Sequence, residues 1–551
     1  MIKKFLNSET KSISSASLIL AVSYFASALL GLLRDRLLAG TFGAGSELDV
    51  YYASFAVPDF VALILIFGAI AAAVIPIFSS YLVKSKEEAW KYLSTLLNIF
   101  IGFLILVCGI LAIFTPWLIA IIAPGFSGEK RELAVELTRI MFLSPVILGL
   151  SNLISGILQV FHRFLVTALA PLMYNIGIII GILFFAPKIG AVGLAWGVVL
   201  GGVLHLLIQM PAFFHSGFKY RPDFNYKDPG VIKTVQLMVP RSLGLGAGQL
   251  NTIATTAIAS TLLSGSIAVF NLANNLSSLF VNAVAVSVTT ASFPAMSMAF
   301  LKQDNNEFLK KFSSILRQII FLTFPACLLL LILRAQIVRV FLGAGRFDWA
   351  DTKLTTACLG ILSVNLIAQA LIIFLSKTFY AAHNTKIPAI ISGATVAFNI
   401  ALSLFLVWLI KTSPEFYIFL QGFLRLGGAA NVGVIGLAMA YSVTAIIEAS
   451  VLLYMFLKKF SQINEREILR SLEKIVMSCF IMFLAAFFTR QVLAIFVGTQ
   501  TFWGLLLQLV VSGGVGVASY VIASYYFKSP ELKIISDSLF KKFFLGQPAQ
   551  K

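Results

Sequence analysis

The stretch LLGLLRDRLLAGTFGAGSELDVYYASF, residues 29–55, is apolar enough to enter a bilayer, yet it carries Arg34, Asp35 and Arg36 in succession and Asp49 shortly after. A charged side chain at the centre of a membrane helix costs about 2.5–3.5 kcal/mol on insertion scales. Charges kept at that cost face a bundle interior or a water-filled cavity, or pair with one another. Two readings follow. Either Arg34 faces a cleft while Arg36 snorkels to the interface, or the cluster is an ion-pair knot holding the first two spans together. Asp35 adjoins both arginines and can pair with either.

Outward from this stretch, apolar runs and polar breaks alternate through all 551 residues. Hydrophobic residues make up 59% and charged residues 12%, with a mean hydropathy of +0.94. Soluble domains carry about 25% charged residues, so a soluble fold is excluded. Runs of about 20 apolar residues, each long enough to cross about 30 Å of hydrocarbon, recur from end to end. A transmembrane β-barrel would alternate over strands of about 10 residues, and these runs do not. The expectation is an all-α polytopic membrane protein with roughly fourteen spans. The basic-then-apolar opening MIKKFLNSETKSISSASLIL lacks a small-residue cleavage site and reads as the first span rather than a removed leader.

The formal net charge of +18 invites a nucleic-acid reading, but Lys and Arg also gather in the cytoplasmic loops of membrane proteins. Alternate breaks (VKSKEEAWK, FHRF, GFKYRPDFNYKDPGVIK, LKQDNNEFLKK, HNTK, KKFSQINEREILRSLEK) together with both tails hold 25 Lys and Arg, and the other breaks hold eight. Both termini are therefore expected in the cytoplasm, with no nucleic-acid partner. Cys108, Cys327, Cys358 and Cys479 all sit in apolar runs without CxxC spacing, and the four histidines are scattered. Neither a metal site, a cofactor nor a catalytic centre is indicated.

Internal repeats organise the chain. GAVGLAWG (190–197) returns as GVIGLAMA (433–440), GSELDVYYASF (45–55) as GSIAVFNLANN (265–275), and IPIFSSYL (75–82) as FPAMSMAF (293–300). FHRFLVTALAP (161–171) sits where the second half has AAHNTKIPA (381–389). The offset of about 220 residues grows to 243 after an insertion at 411–431. The expected layout is a six-helix bundle at 13–215, a cytoplasmic linker at 216–231, a second six-helix bundle at 232–460, two further spans within 468–527 and a cytoplasmic tail at 528–551. Six is even, so the bundles form a parallel repeat about a central cavity, the architecture of alternating-access transporters.

Further polar residues stand inside apolar runs. Arg241 follows Pro240 in LMVPRSLGLGAGQLN, where proline and glycines loosen the helix. It lines the cleft or snorkels to the interface. Asn271, Asn274, Asn275 and Asn282 make FNLANNLSSLFVN polar for a lipid-facing helix, as interhelical glue or cleft lining. Asp59 follows Pro58 in the second span, and Glu448 is a lone carboxylate in the twelfth, poised to bind a coupling cation or to pair with Lys or Arg.

The run from Leu29 to Phe60, extended by AVPDF, resembles the signature of the MurJ (MviN) family of lipid II flippases. IIAPGF (121–126), ILQVFHRFLVTALAP (157–171), QIVRVFLGAGRFD (336–348) and the GAVGLAWG pair resemble it in the same order, across residues 15–460. The resemblance implies the fold of the multidrug/oligosaccharidyl-lipid/polysaccharide exporter superfamily, with a V-shaped cavity. It implies transport of the polyprenyl-pyrophosphate-linked peptidoglycan precursor from the inner to the outer leaflet of the bacterial cytoplasmic membrane, beside cell-wall synthesis proteins. Arg34 matches the family's first-span arginine and Asp49 its acidic residue opening the second span. Three other family arginines are replaced by Ala28, Ala62 and Asn275. Arg241, opening the seventh span, is the expected compensation.

The substrate-binding set expected is thus Arg34, Asp49, Arg241, Asn274 and Asn275, with Glu448 for ion coupling. A planar guanidinium that never deprotonates suits a phosphate head group, and Asp49 would orient or release an arginine. The rival readings are a flippase for another polyprenyl-linked saccharide, a cation or drug exporter using Asp49 and Glu448, and a non-transporting scaffold of envelope synthesis.

Overall fold

The computed structural model describes residues 13–67, 73–427, 429, 431–460, 465–498 and 501–544, with side chains for all of these except 13–18, 65–67, 239–247, 465 and 538–544. Every regular element among them is helical. Eleven helices among the described residues are long and apolar enough to cross a membrane, which makes the chain a multi-pass membrane protein. The charge-bearing α1 (Ile13–Phe42) and α2 (Ser46–Val61) and the long α12 (Pro229–Ser260) stand outside those eleven, so the figure of fourteen remains an expectation.

The helix starts fall at the polar breaks because those breaks supply caps. Ser85 accepts from the Glu88 N–H at the head of the helix Lys86–Ile113, and Asp304 from the Glu307 N–H at the head of the helix Asn305–Phe341. Asp348 and Asp351 form a reciprocal capping box on the helix Trp349–Ala381. Each such cap satisfies amides that would otherwise stay orphaned.

The chain divides into two compact units, Met1–Ala268 and Val269–Lys551. After α1 and α2, the first unit continues through α3 (Ile75–Lys84), α4 (Lys86–Ile113), α5 (Thr115–Ile122), α6 (Gly128–Met141), α7 (Leu143–Val160), α8 (Phe164–Ile180), α9 (Ala186–Ile189), α10 (Val192–Leu207), α11 (Met210–His215) and α12. Glycines let α8 and α10 meet backbone to backbone, since a Cβ on Gly177 would strike Gly201 and one on Gly197 would strike Gly181. Small residues at a crossing are the usual device where lipid offers no hydrophobic driving force. A buried network of Ser151, His205, Gln209 and Ser155 joins α7 to the end of α10, with bonds of 2.7 to 2.8 Å.

The second unit holds α13 (Ser266–Val281, begun in the first unit), α14 (Ser287–Leu301), α15 (Asn305–Phe341), α16 (Trp349–Ala381), α17 (Lys386–Thr412), α18 (Pro414–Phe423), α19 (Gly433–Lys459), α20 (Glu465–Phe496), α21 (Phe502–Tyr526) and α22 (Pro530–Phe544). The pair α20 and α21 packs on α15.

The packing boundary at 268/269 falls beyond the repeat boundary expected near 232. The reason lies in α12, which packs against α2, α4 and α5. Its start is tied down where the Tyr92 and Thr234 hydroxyls meet at 2.7 Å and Tyr81 donates to Asp228 at 3.1 Å. The linker before it is docked as well, for Asn98 donates to the Asp223 carbonyl, Lys91 pairs with Asp223 and Arg221 pairs with Glu87.

Among the described residues, wide, π-helical turns interrupt the α-helices at Ala62–Phe67, Gly181–Phe185 and Asn282–Val286. The first and third begin 220 residues apart, the offset of the repeat. Such turns in helices are frequent at functional sites.

Candidate functional site

Arg34 lies in the second half of α1. Its Nε and one terminal nitrogen donate to the same Asp35 oxygen at 3.0 and 2.8 Å, and the other terminal nitrogen donates to Asn175 Oδ1 at 3.2 Å. Asn175 on α8 in turn donates to Ser27 and to the Pro171 carbonyl. Of the two partners left open by the sequence, Asp35 therefore pairs with Arg34. Through Asn175 this tie runs from α1 to α8. Arg34 keeps 24% of its side chain exposed while Asp35 keeps 7%, so the arginine is held in place without being fully enclosed. Asp59, exposed on α2, and Tyr51, Tyr52 and Tyr174 all act on Arg34 through space. One arginine thus stands among two carboxylates and three phenols.

Asp49 is buried and directs both of its oxygens elsewhere. Oδ2 accepts from Lys130 Nζ on α6 at 3.1 Å and from the Gly265 N–H at 2.7 Å, and Oδ1 accepts from the Ala268 N–H at 2.9 Å. The carboxylate expected to orient an arginine instead caps the amino end of α13 from another helix, where backbone amides and the helix dipole favour a negative charge. The backbones close in around it. A Cβ on Gly265, whose φ is +92°, would strike the Ala44 carbonyl, and one on Gly125 would strike Ser260. Gly125 N–H also donates to the Ser260 hydroxyl at 3.1 Å. The two GS turns that the repeat equates, Gly45–Ser46 and Gly265–Ser266, thus meet near one another around one buried anion.

The Arg241 side chain lies outside the described residues, as does Pro240's. Asn274 and Asn275 are half-buried on α13 in the second unit. Glu448 on α19 accepts from Ser392 at 2.6 Å and from Thr395 at 3.1 Å, both on α17, and makes no ion pair among the described residues. Of its two expected roles, pairing with Lys or Arg is not seen. No grouping of three or more His, Cys, Asp or Glu able to hold a metal occurs among the described residues.

Sequence reasoning did not single out Asn175 or Lys130. Asn175 left a signal, a lone amide in the apolar LMYNIGIII. Lys130 left none, because it reads as an ordinary loop cation in SGEKRE.

With this geometry in hand, the comparisons decide the family. The model of the lipid II flippase MurJ family matches residues 38–507. The chain belongs to that family. A probable lipid II flippase MurJ of Buchnera aphidicola subsp. Acyrthosiphon pisum is 32% identical over 69% of this chain and 76% of its own length. The lipid II flippase MurJ of Burkholderia cenocepacia is 29% identical over 67% of this chain and 74% of its own. A solved MurJ structure, described as an inward closed conformation, aligns with 96% of this chain and 100% of its own at a TM-score of 0.72 and 25% identity. An inward-facing multidrug transporter of the MATE family shares the fold at a TM-score of 0.62 and 15% identity over 80% of this chain and 98% of its own. MurJ membership and the shared exporter fold bear out the resemblance read from residues 29–60.

Proposed function

We propose that this MurJ-family chain moves lipid II, a polyprenyl-pyrophosphate-linked saccharide, from the inner to the outer leaflet of the bacterial cytoplasmic membrane by alternating access. Family membership carries the reading, and Arg34 supports it. The guanidinium is fixed by Asp35 and Asn175 on a side chain that stays part-exposed, which suits a fork that binds phosphate. Both termini lie in the cytoplasm, on the strength of 25 against eight cations in alternate breaks. The capped end around Asp49 is then external, and its dense backbone packing would act as the outer gate. Arg241 on the first unit and Asn274 and Asn275 on the second are proposed to contact the head group as well, and Glu448 with its two hydroxyl neighbours to serve ion coupling. Cell-wall synthesis proteins are the natural partners of such a carrier.

Net outward movement is driven by the membrane potential. Each negative charge moved outward across 100 mV, inside negative, gains about 2.3 kcal/mol, and a pyrophosphate head carries about two. The deciding experiment replaces an essential lipid II flippase with this chain under depletion. Sustained growth supports the reading, and lysis despite normal membrane expression refutes it. A flippase for another polyprenyl-linked saccharide is the second reading, favoured by Ala28, Ala62 and Asn275 where the family pattern has arginines.

A further inference from the structure

A separate cationic pocket lies wholly within the second unit. Its cavity of about 530 Å³ is lined by Arg334 and Arg339 of α15, Lys353 of α16, Arg490 of α20 and Arg425, which follows α18. No carboxylate joins the lining, and none of the five cations makes an ion pair among the described residues. Arg425 and Arg490 both repel Arg334 through space. The surroundings hold the charges together despite this. Arg490 donates to the Ile332 carbonyl at 3.0 Å and lies 5.2 Å from the centre of the Phe487 ring. Arg339 and Lys353 share the Trp349 ring at 5.0 and 5.9 Å. Gly360 leaves open the space that the Arg334 guanidinium fills. The Thr356 hydroxyl, also in the lining, is buried with no hydrogen-bond partner among the described residues.

Convergent cations with no counter-charge, beside an unsatisfied hydroxyl, describe a site whose anion comes from outside the chain. We propose that this pocket binds the phosphate of an anionic phospholipid. Arg334 lies seven residues before the end of α15 and Arg490 six before the end of α20. At 1.5 Å per residue that is about 9–11 Å inside the helix ends, the level at which head groups meet acyl chains. Leu331 and Phe483, one helical turn or two deeper, extend the lining with apolar surface. A soluble phosphate has no use for that surface, whereas a lipid lays its glycerol and upper acyl chain there. The insertion at 411–431, which breaks the repeat offset, supplies Arg425, and its Gly427 approaches the Lys353 ammonium closely. The insertion thus completes one side of the pocket.

The test uses the full-length protein in neutral detergent, with bound lipid counted by native mass spectrometry. Micelles are doped with phosphatidylglycerol, with phosphatidylcholine, or with neither but with inorganic phosphate added. Phosphatidylglycerol is expected to be retained about tenfold better than phosphatidylcholine, and the double variant Arg334→Gln/Arg490→Gln to lose about that factor, since charge-assisted bonds to phosphate carry the affinity. Arg425→Gln changes only an exposed loop residue and is expected to lower retention severalfold, which keeps the test decisive if the double variant does not fold. Equal retention of both phospholipids, or retention untouched by Arg425→Gln and the double variant, overturns the site. Inorganic phosphate bound as tightly as phosphatidylglycerol overturns the lipid assignment.

Discussion

Asp49 and Lys130, 81 residues apart in the chain, form an ion pair at 3.1 Å in which the carboxylate is buried and the ammonium part-buried, and the same carboxylate oxygen accepts the Gly265 amide at 2.7 Å. One side chain therefore neutralises a lysine and the amino end of a helix together. Stranding a fully buried charge costs about 3–5 kcal/mol, and a part-exposed partner lowers that figure because water still reaches it. Asp49→Ala strands three donors and should lower the thermal midpoint in detergent more than Lys130→Ala does. A double-mutant cycle should return a coupling of about 0.5–3 kcal/mol. A coupling of zero would mean that the pair merely coincides with the helix cap.

The Arg34 site makes a graded prediction. Arg34→Ala should abolish complementation of a flippase-depleted strain with expression near normal. Asn175→Ala should impair it less, because Asp35 still fixes the guanidinium, and Arg36→Ala should be the mildest. Loss of folding in Arg34→Ala, with equal damage from Arg36→Ala, would assign the cluster to structure alone.

Orientation is checked by labelling. Ser127 and Asn225 are both exposed. A cysteine at Ser127 should react with an impermeant reagent added outside cells, and one at Asn225 only after lysis. The reverse pattern would invert the topology.

The driving force can be read in vesicles containing purified protein and fluorescent lipid II, scored by an outside enzyme. Clamping the potential to zero should slow net outward movement, and reversing it should oppose movement. Glu448→Gln should leave this response intact if the potential alone drives transport. If transport instead ignores the potential and fails when a sodium or proton gradient is removed, Glu448 becomes the coupling site. Glu448→Gln should then erase the gradient dependence without unfolding the protein, since an amide still accepts from Ser392.

The apolar runs were legible because they are a local signal, a span needing about 20 consecutive apolar residues. The repeat exposed the exporter architecture for the same reason, through matched short words. What the sequence left open was partner choice. Asp35 adjoins both arginines, and no local pattern named Asn175, 141 residues away, as the further partner of Arg34. Asp49 gave no sign that its partners were Lys130 and amides more than 200 residues on, since burial of a carboxylate is settled by tertiary packing. The grouping of α12 with the first unit was hidden likewise, because the hydroxyl contact between Tyr92 and Thr234 leaves no trace in either local pattern.

The wide turns at Ala62–Phe67 and Asn282–Val286 stand at equivalent places in the two repeats. A π turn holds one residue more than an α turn and weakens the local ladder of hydrogen bonds. Bending there requires less disruption than bending an unbroken helix. Each repeat thus contains, in its second span, an elbow of its own at the corresponding position. Duplication would then have copied a joint along with a bundle, and the two halves could flex by the same small motion.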